Sequence, residues 1–316
     1  MAFKVALIGY GYWGPKLARN IQNSNNFEIN HIIDKSKKNL EIAKRSFPLS
    51  KFSTNFKDID KDKIDLVVIS TPTKTHYQLT KYFLKYSNVL VEKPLALKLK
   101  DVKNLEFLSK KSKYKLFVDY PFIFSGSINY IKKILKNKKY GKLIEIESFR
   151  EQAPIRTDAD VVWDLGVHDI SILRYLLNLN PNKVRSIKYN TIKTTQKDTA
   201  YINLEYKNDL KVFIKNSWIS PIKIRIMKFK FEKGIIICDE NEPIYKLKVF
   251  TKKEKSSLVY KLELPEIDLS EPLFNLINYV GKSIQDNNNS IFKNNFNIDV
   301  TKVLEKIYND KISWYI

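Results

Sequence analysis

The run Val89-Leu90-Val91-Glu92-Lys93-Pro94 is an apolar stretch that ends in an acid, a base and a proline. A short Val/Leu run of this kind reads as a buried parallel strand, and open α/β sheets hold their ligands at the carboxyl ends of such strands. Lys93 is therefore expected at an active-site edge. Pro94 fixes its own φ and biases Lys93 away from helix, which puts the lysine on a stiff, extended corner. A second signature, Gly9-Tyr10-Gly11-Tyr12-Trp13-Gly14, directly follows the strand-like Phe3–Ile8. Glycines at this spacing allow a tight turn at Gly9, close approach of a pyrophosphate at Gly11 and close helix packing at Gly14. The helix that follows offers free N–H groups and a positive dipole end to phosphate.

Asp34 closes the next strand-like run about twenty residues beyond Gly14, where a carboxylate accepts hydrogen bonds from ribose hydroxyls. That favours NAD over NADP, although Lys35 and Lys37 stand close enough to meet a 2′-phosphate. Asp34 is equally suited to the turn before Ser36–Lys38. Ser70-Thr71-Pro72 ends the run Ile64–Ile69, and His76 lies just inside the following helix as a cap or wall of the same crevice. Together with Tyr12, Trp13, Glu92 and Lys93 these residues form the expected cofactor-binding set. His31, inside the second strand, reads as a core histidine.

Such a site needs alternating strands and helices to position it. The pattern runs Phe3–Ile8, a helix near 13–22, Glu28–Ile33, a helix over 37–46, Ile64–Ile69, a helix from His76, Val89–Val91, a helix from Lys100, then Lys115–Val118. This spacing implies βαβ units and a doubly wound parallel sheet, giving a Rossmann domain over residues 1–120. Beyond Tyr120 the texture changes. Alternating segments at 141–149, 183–189, 199–206, 210–218 and 222–231, with a helix-like stretch over 163–177, predict an α+β domain over 121–316. Its large open sheet is expected to be mostly antiparallel and backed by helices. Late helices at 271–283 and 299–309 close the chain, the last able to pack back on the first domain, and Asp286–Ser290 reads as an exposed loop.

Composition narrows the function classes. Of 316 residues, 56 are Lys or Arg and 34 Asp or Glu, a formal charge of +22. The basic residues are scattered rather than clustered, as an A/T-biased coding sequence would give, and no nucleic-acid-binding motif accompanies them. No run of about eighteen apolar residues or secretory leader is visible, so a cytoplasmic protein without a membrane partner is expected. One cysteine, Cys238, in an apolar run, allows no disulfide or metal framework and reads as an inert buried thiol.

Three landmarks stand in one order: the glycine turn at 9–14, the Glu92-Lys93-Pro94 corner, and Trp163-Asp164-Leu165-Gly166-Val167-His168-Asp169. Jointly, and with Glu271-Pro272-Leu273 before a late helix, they resemble the glucose-fructose oxidoreductase and inositol dehydrogenase (Gfo/Idh/MocA) family over essentially the whole chain. The resemblance implies a nicotinamide-dependent oxidoreductase acting on a sugar, inositol or nucleotide sugar. It matches Lys93 to the family's catalytic lysine, and Asp164 and His168 to its acid and histidine. Residues 164 and 168 are four apart, so on a helix they share a face. A histidine with an ordinary pKa of about 6.5 can take a hydroxyl proton while hydride leaves the carbon.

The chain departs from the family pattern at Ser171, where many members have an acid, leaving Asp169 as the nearest one, and in lacking a glycine-rich stretch before Trp163. Trp163, Asp169 and Arg156 are the candidate substrate contacts, and Lys142, Arg150 and Arg156 candidates for a diphosphate. The surrounding residues look most like members acting on UDP-linked amino sugars or uronic acids in surface-polysaccharide biosynthesis. The alternatives are an inositol or free-sugar dehydrogenase, a glycosidase of the same fold that recycles its NAD, and a non-catalytic NAD-binding sensor. The resemblance also implies a homodimer or homotetramer.

Overall fold

Six apolar runs become one parallel sheet. In the computed structural model, which describes residues 2–152, 155, 159–192, 196–252, 259–286, 291–292 and 295–310, the chain opens with β1 (Phe3–Ile8), α1 (Gly14–Gln22), β2 (Phe27–Ile33), α2 (Lys37–Ser46) and β3 (Lys51–Ser53). It continues through β4 (Leu66–Ile69), α3 (His76–Phe83), β5 (Asn88–Glu92), α4 (Leu99–Lys111) and β6 (Leu116–Asp119). The sheet order is β3-β2-β1-β4-β5-β6, with every pair parallel. β4 and β6 are buried at every position, as strands covered on both faces must be. Amphipathic α1 supplies part of that cover through Leu17, Ala18 and Ile21. The order reverses between β1 and β4, the place where doubly wound sheets bind ligands.

The second sheet is built differently. After α5 (Gly126–Asn137) come β7 (Leu143–Glu151), a π-helical turn (Val162–Gly166) and α6 (Val167–Leu177). Then follow β8 (Lys183–Tyr189), β9 (Thr199–Glu205), β10 (Lys211–Ser217), β11 (Ile224–Phe231), β12 (Gly234–Asp239), β13 (Leu247–Lys252) and β14 (Tyr260–Glu263). The order is β14-β13-β12-β11-β7-β10-β9-β8. Its pairs are antiparallel except β7–β10, which is parallel. Burial alternates strictly along β12, the signature of a sheet with one covered face.

The chain ends in α7 (Pro272–Gln285) and α8 (Phe296–Asn309). It divides into two compact units, Met1–Pro121 with Glu271–Thr301, and Phe122–Ser270 with Lys302–Ile316. Residues 271–301 thus belong with the first unit, a return that the sequence division at 120/121 allowed only for the last helix. Specific polar contacts account for it. Arg19 Nη2 donates to both oxygens of Glu271 at 2.7 and 2.6 Å, Ser24 Oγ donates to Asn278 Oδ1 at 2.8 Å, and Asn297 Nδ2 donates to Glu106 Oε1 at 2.7 Å. The expected 286–290 loop lies, from residue 287 on, outside the described residues.

Candidate cofactor and active site

The glycine turn is packed tightly against its own strand ends. Gly9 adopts φ +98°, and a Cβ there would collide with the Ser70 carbonyl of the neighbouring strand end. At Gly14 a Cβ would run into the Gly9 carbonyl, which is how α1 comes so near its strand. A Cβ on Gly11 would meet nothing within 4 Å. The loop is thus tight on the protein side and open on the other. Tyr12 is 83% exposed, and Lys16 Nζ lies 3.8 Å from the centre of its ring and 4.4 Å from that of Trp13.

Asp34 is anchored at the end of β2. Its Oδ2 accepts the Tyr10 N–H at 2.6 Å and its Oδ1 the Ser36 N–H at 2.7 Å, while Ser36 caps α2 through Asn39 N. The turn role read from sequence is thus filled, and each carboxylate oxygen keeps a second lone pair. An NAD molecule fits these residues: an open backbone cradle at Gly11, a helix N-terminus behind it, and a fixed acid on the next strand.

Ser70, Thr71 and Pro72 follow β4. His76 is buried, with Nδ1 2.8 Å from the Pro94 carbonyl oxygen and Nε2 2.8 Å from that of Thr71. The ring is therefore a brace joining the β4 end to the Lys93-Pro94 corner. The Lys93–Pro94 peptide is cis. Lys93 leaves β5 beside Glu92, whose Oε2 accepts the Lys93 backbone N–H at 3.1 Å. Trp13, expected against the cofactor, donates its indole N–H to Asp119 Oδ2 at 3.0 Å. His31 is buried as expected, and burial, followed by the charge of Lys51, holds its ring below the ordinary histidine range.

In the second unit, Asp164 sits on the π-helical turn rather than on the α-helix the four-residue spacing suggested. Asp160 sets the start of that turn, its Oδ1 accepting the N–H groups of Val162 at 3.0 Å and Trp163 at 3.1 Å. Asp164 Oδ2 accepts the indole N–H of Trp218 at 3.0 Å. His168 follows in the first turn of α6, edge-on to Phe122 with ring centres 5.0 Å apart. The guanidinium carbons of Arg150 and Arg225 stand 4.6 and 5.1 Å from the centre of the same Phe122 ring.

Two expectations are corrected here. Asp169 is fully buried: its oxygens accept from Ser148 Oγ at 2.9 Å, Arg150 Nε at 3.0 Å and Asn216 Nδ2 at 2.8 Å, so it holds the fold and cannot touch a substrate. Arg150, the other half of this pair, is 3% exposed and does not face a diphosphate. Trp163 is also largely buried, with its ring 6.4 Å from Tyr308. Lys142 lies exposed at the entrance to β7, and Arg156 falls outside the described residues.

Sequence reading missed Asp119, Asn216 and Trp218. Asp119 breaks the apolar run Leu116-Phe117-Val118 at a strand end, the same signal that singled out Glu92. Trp218 and Asn216 carry no local signal, because their partners lie more than forty residues away in sequence. Cys238 is buried, and burial pushes its thiol well above the ordinary range, as an inert thiol requires. Among the described residues no group of His, Cys, Asp and Glu side chains is arranged to hold a metal ion, and no helix is long and apolar enough to cross a membrane.

Comparison with known proteins agrees with this geometry. Residues 3–120 match the Gfo/Idh/MocA oxidoreductase family, NAD-binding Rossmann fold, and residues 128–237 match the Gfo/Idh/MocA C-terminal domain. The chain is 26% identical over 228 residues to myo-inositol 2-dehydrogenase of Thermotoga maritima, covering 68% of each chain. It is 26% identical over 128 residues to UDP-N-acetylglucosamine 3-dehydrogenase of Acidithiobacillus ferrooxidans, covering 40% of each; the solved structure of that enzyme superposes with a TM-score of 0.84 at 17% identity over 97% of both chains. An oxidoreductase from Agrobacterium radiobacter, crystallised with NAD+, L-tartaric acid and magnesium, gives a TM-score of 0.85 at 16% identity, covering 98% of this chain and 96% of that one.

Proposed function

The chain belongs to the Gfo/Idh/MocA oxidoreductase family, and from that premise we propose that it is an NAD-dependent dehydrogenase of a sugar ring hydroxyl, its substrate a UDP-linked amino sugar or uronic acid of surface-polysaccharide biosynthesis. The observation that carries the reading is the strand-end row of the first sheet. Open Gly11, anchored Asp34 and Lys93 all stand at its carboxyl edge, where doubly wound folds bind dinucleotides.

When bound, NAD supplies the hydride acceptor or donor. The glycine turn and the N-terminus of α1 would hold its pyrophosphate and Asp34 its adenosine ribose, with Thr71, Pro72, Glu92 and braced His76 as the wall beyond. A carboxylate at Asp34 would repel a 2′-phosphate, which favours NAD. In the oxidative direction the substrate carbon gives up hydride, its hydroxyl proton goes to His168, and a ketone results. Lys93 stabilises the oxygen as it takes on alkoxide character. Asp164, with one oxygen held by Trp218, orients the histidine or the sugar. An NAD-linked reaction of this kind suits the cytoplasm.

The open face of the second sheet supports a homodimer or homotetramer. Tyr201 and Phe213 are 44% and 42% exposed on neighbouring β9 and β10, and Tyr201 stacks with Tyr189 at a 6.4 Å ring separation. The mass of the native protein by light scattering tests this.

The similarity to myo-inositol 2-dehydrogenase favours inositol as a second substrate class. The decisive experiment mixes pure protein and NAD with a panel of UDP-sugars, free sugars and inositols and follows NADH formation. We expect turnover with a UDP-sugar and a loss of at least a hundredfold in kcat in Lys93→Ala and in His168→Ala. Turnover unchanged in both variants would sink the mechanism. Turnover confined to inositols would move the substrate assignment, and NAD binding without any hydride transfer would favour the sensor or glycosidase alternatives.

A further inference from the structure

Glu92 and Asp119 are the last register pair of the parallel strands β5 and β6. Residues in register on parallel strands send their side chains to the same face, so two carboxyl groups stand side by side at the sheet's carboxyl edge. Asp119 is 1% exposed, and although Glu92 as a residue is partly exposed, its Oε1 is shut off from solvent. Glu92 Oε1 and Asp119 Oδ1 are both buried polar atoms left without a conventional hydrogen-bond partner. Two ionised carboxylates cannot both be accommodated in such a place, whereas one proton lets a single O–H serve both groups. Each carboxyl already has one donor: Asp119 receives the indole N–H of Trp13 at 3.0 Å, and Glu92 the adjacent Lys93 backbone N–H at 3.1 Å.

We propose that Glu92 and Asp119 share one proton, so that the pair carries a single negative charge beside Lys93. Burial and then the neighbouring Asp119 charge push Glu92 well above the ordinary range, and burial also raises Asp119, whose hydrogen bonds with Glu92 and Trp13 oppose the rise. The charged group acting on both members is Lys93. Next to them Tyr120 is buried, its phenol held protonated by burial and by the charge of Glu106 on α4. The consequence is chemical: one carboxylate rather than two stands beside Lys93 and the proposed nicotinamide site.

The inference deepens the proposed cofactor edge, yet its test reads protons, so it fails or stands whether or not a sugar is oxidised. Infrared spectra of the full-length protein supply that test. The carbonyl stretch of an un-ionised carboxylic acid should be present at pH 7 in an E106Q/D160N background, which removes other carboxyls raised by burial, and should be lost when E92Q is added. Its absence before, or persistence after, the E92Q change counts against the shared proton.

Discussion

The cofactor edge of the first sheet and the Asp164–His168 segment of the second unit are constructed by opposite means. At the first, main chain does most of the positioning: glycine turns, carbonyls flanking His76 and backbone N–H groups on Asp34. At the second, side chains do it. Asp169, one residue past His168, collects a guanidinium, an amide and a hydroxyl, and Trp218 reaches Asp164 from the end of β10. A site made of backbone needs particular residues only where a Cβ would intrude. A site made of buried polar side chains needs every member, because each loss leaves an unsatisfied group in a medium of low dielectric.

The sharpest way to break this contrast is Arg150→Ala. Removing the guanidinium strands the buried Asp169 carboxylate, and the second unit should lose about 3–5 kcal/mol, read by chemical denaturation through Trp163 and Trp218 fluorescence. A loss below about 1 kcal/mol would show that the network is dispensable. Next comes a pair of glycine substitutions. Gly9→Ala meets both a left-handed φ and the Ser70 carbonyl, and should cost about 2–3 kcal/mol. Gly11→Ala faces open space, so its stability should stay within about 0.5 kcal/mol of the parent while NAD affinity, measured by calorimetry, falls at least tenfold. Equal stability losses in the two would remove the distinction between the protein side and the cofactor side of the turn.

The smallest effect concerns Glu106, a buried side-chain site within the first unit. Burial raises its carboxyl above the ordinary range, against the opposing hydrogen bond from Asn297. The folded state therefore holds a proton that the unfolded chain releases. The resulting stabilisation is complete below the ordinary glutamate range and is lost as pH climbs through the raised value. Glu106→Gln keeps an acceptor for Asn297 and should flatten that part of the stability–pH curve. An unchanged slope would place the titration elsewhere.

The same contrast explains what could be read from the sequence. β1, β2, β4, β5 and β6 show as apolar runs because strands covered on both faces need no polar positions, and the glycines of residues 9–14 show because the turn excludes other side chains. The alternating strands β8 to β11 were equally plain. β12 to β14 were not: Gly234–Cys238 reads as an apolar run, yet only alternate residues of β12 are buried, and β14 is four residues long. The parallel pairing of β7 with β10 depends on contacts some sixty residues apart, which periodicity does not report. Asp169 was misread for a related reason. Its spacing from His168 is local, but its burial is set by Ser148, Arg150 and Asn216 on two other strands. The π-helical turn also escaped the reading, since its sequence spacing is that of an α-helix.

The return of residues 271–301 to the first unit has a consequence in time. Tyr120 on the outer side of β6 is covered by Phe292 and Phe296, with ring centres 6.2 and 5.8 Å away, and Gly281 of α7 lies so close to Asn26 that a Cβ there would clash. None of this cover exists while the first hundred and twenty residues emerge from the ribosome. The parallel sheet is made first but finished last, so a fragment stopped after Pro121 would present Tyr120 and the α7-facing surface of α1 to water. The nascent cofactor-binding half must wait, exposed along that side, until residues 271–301 have been translated.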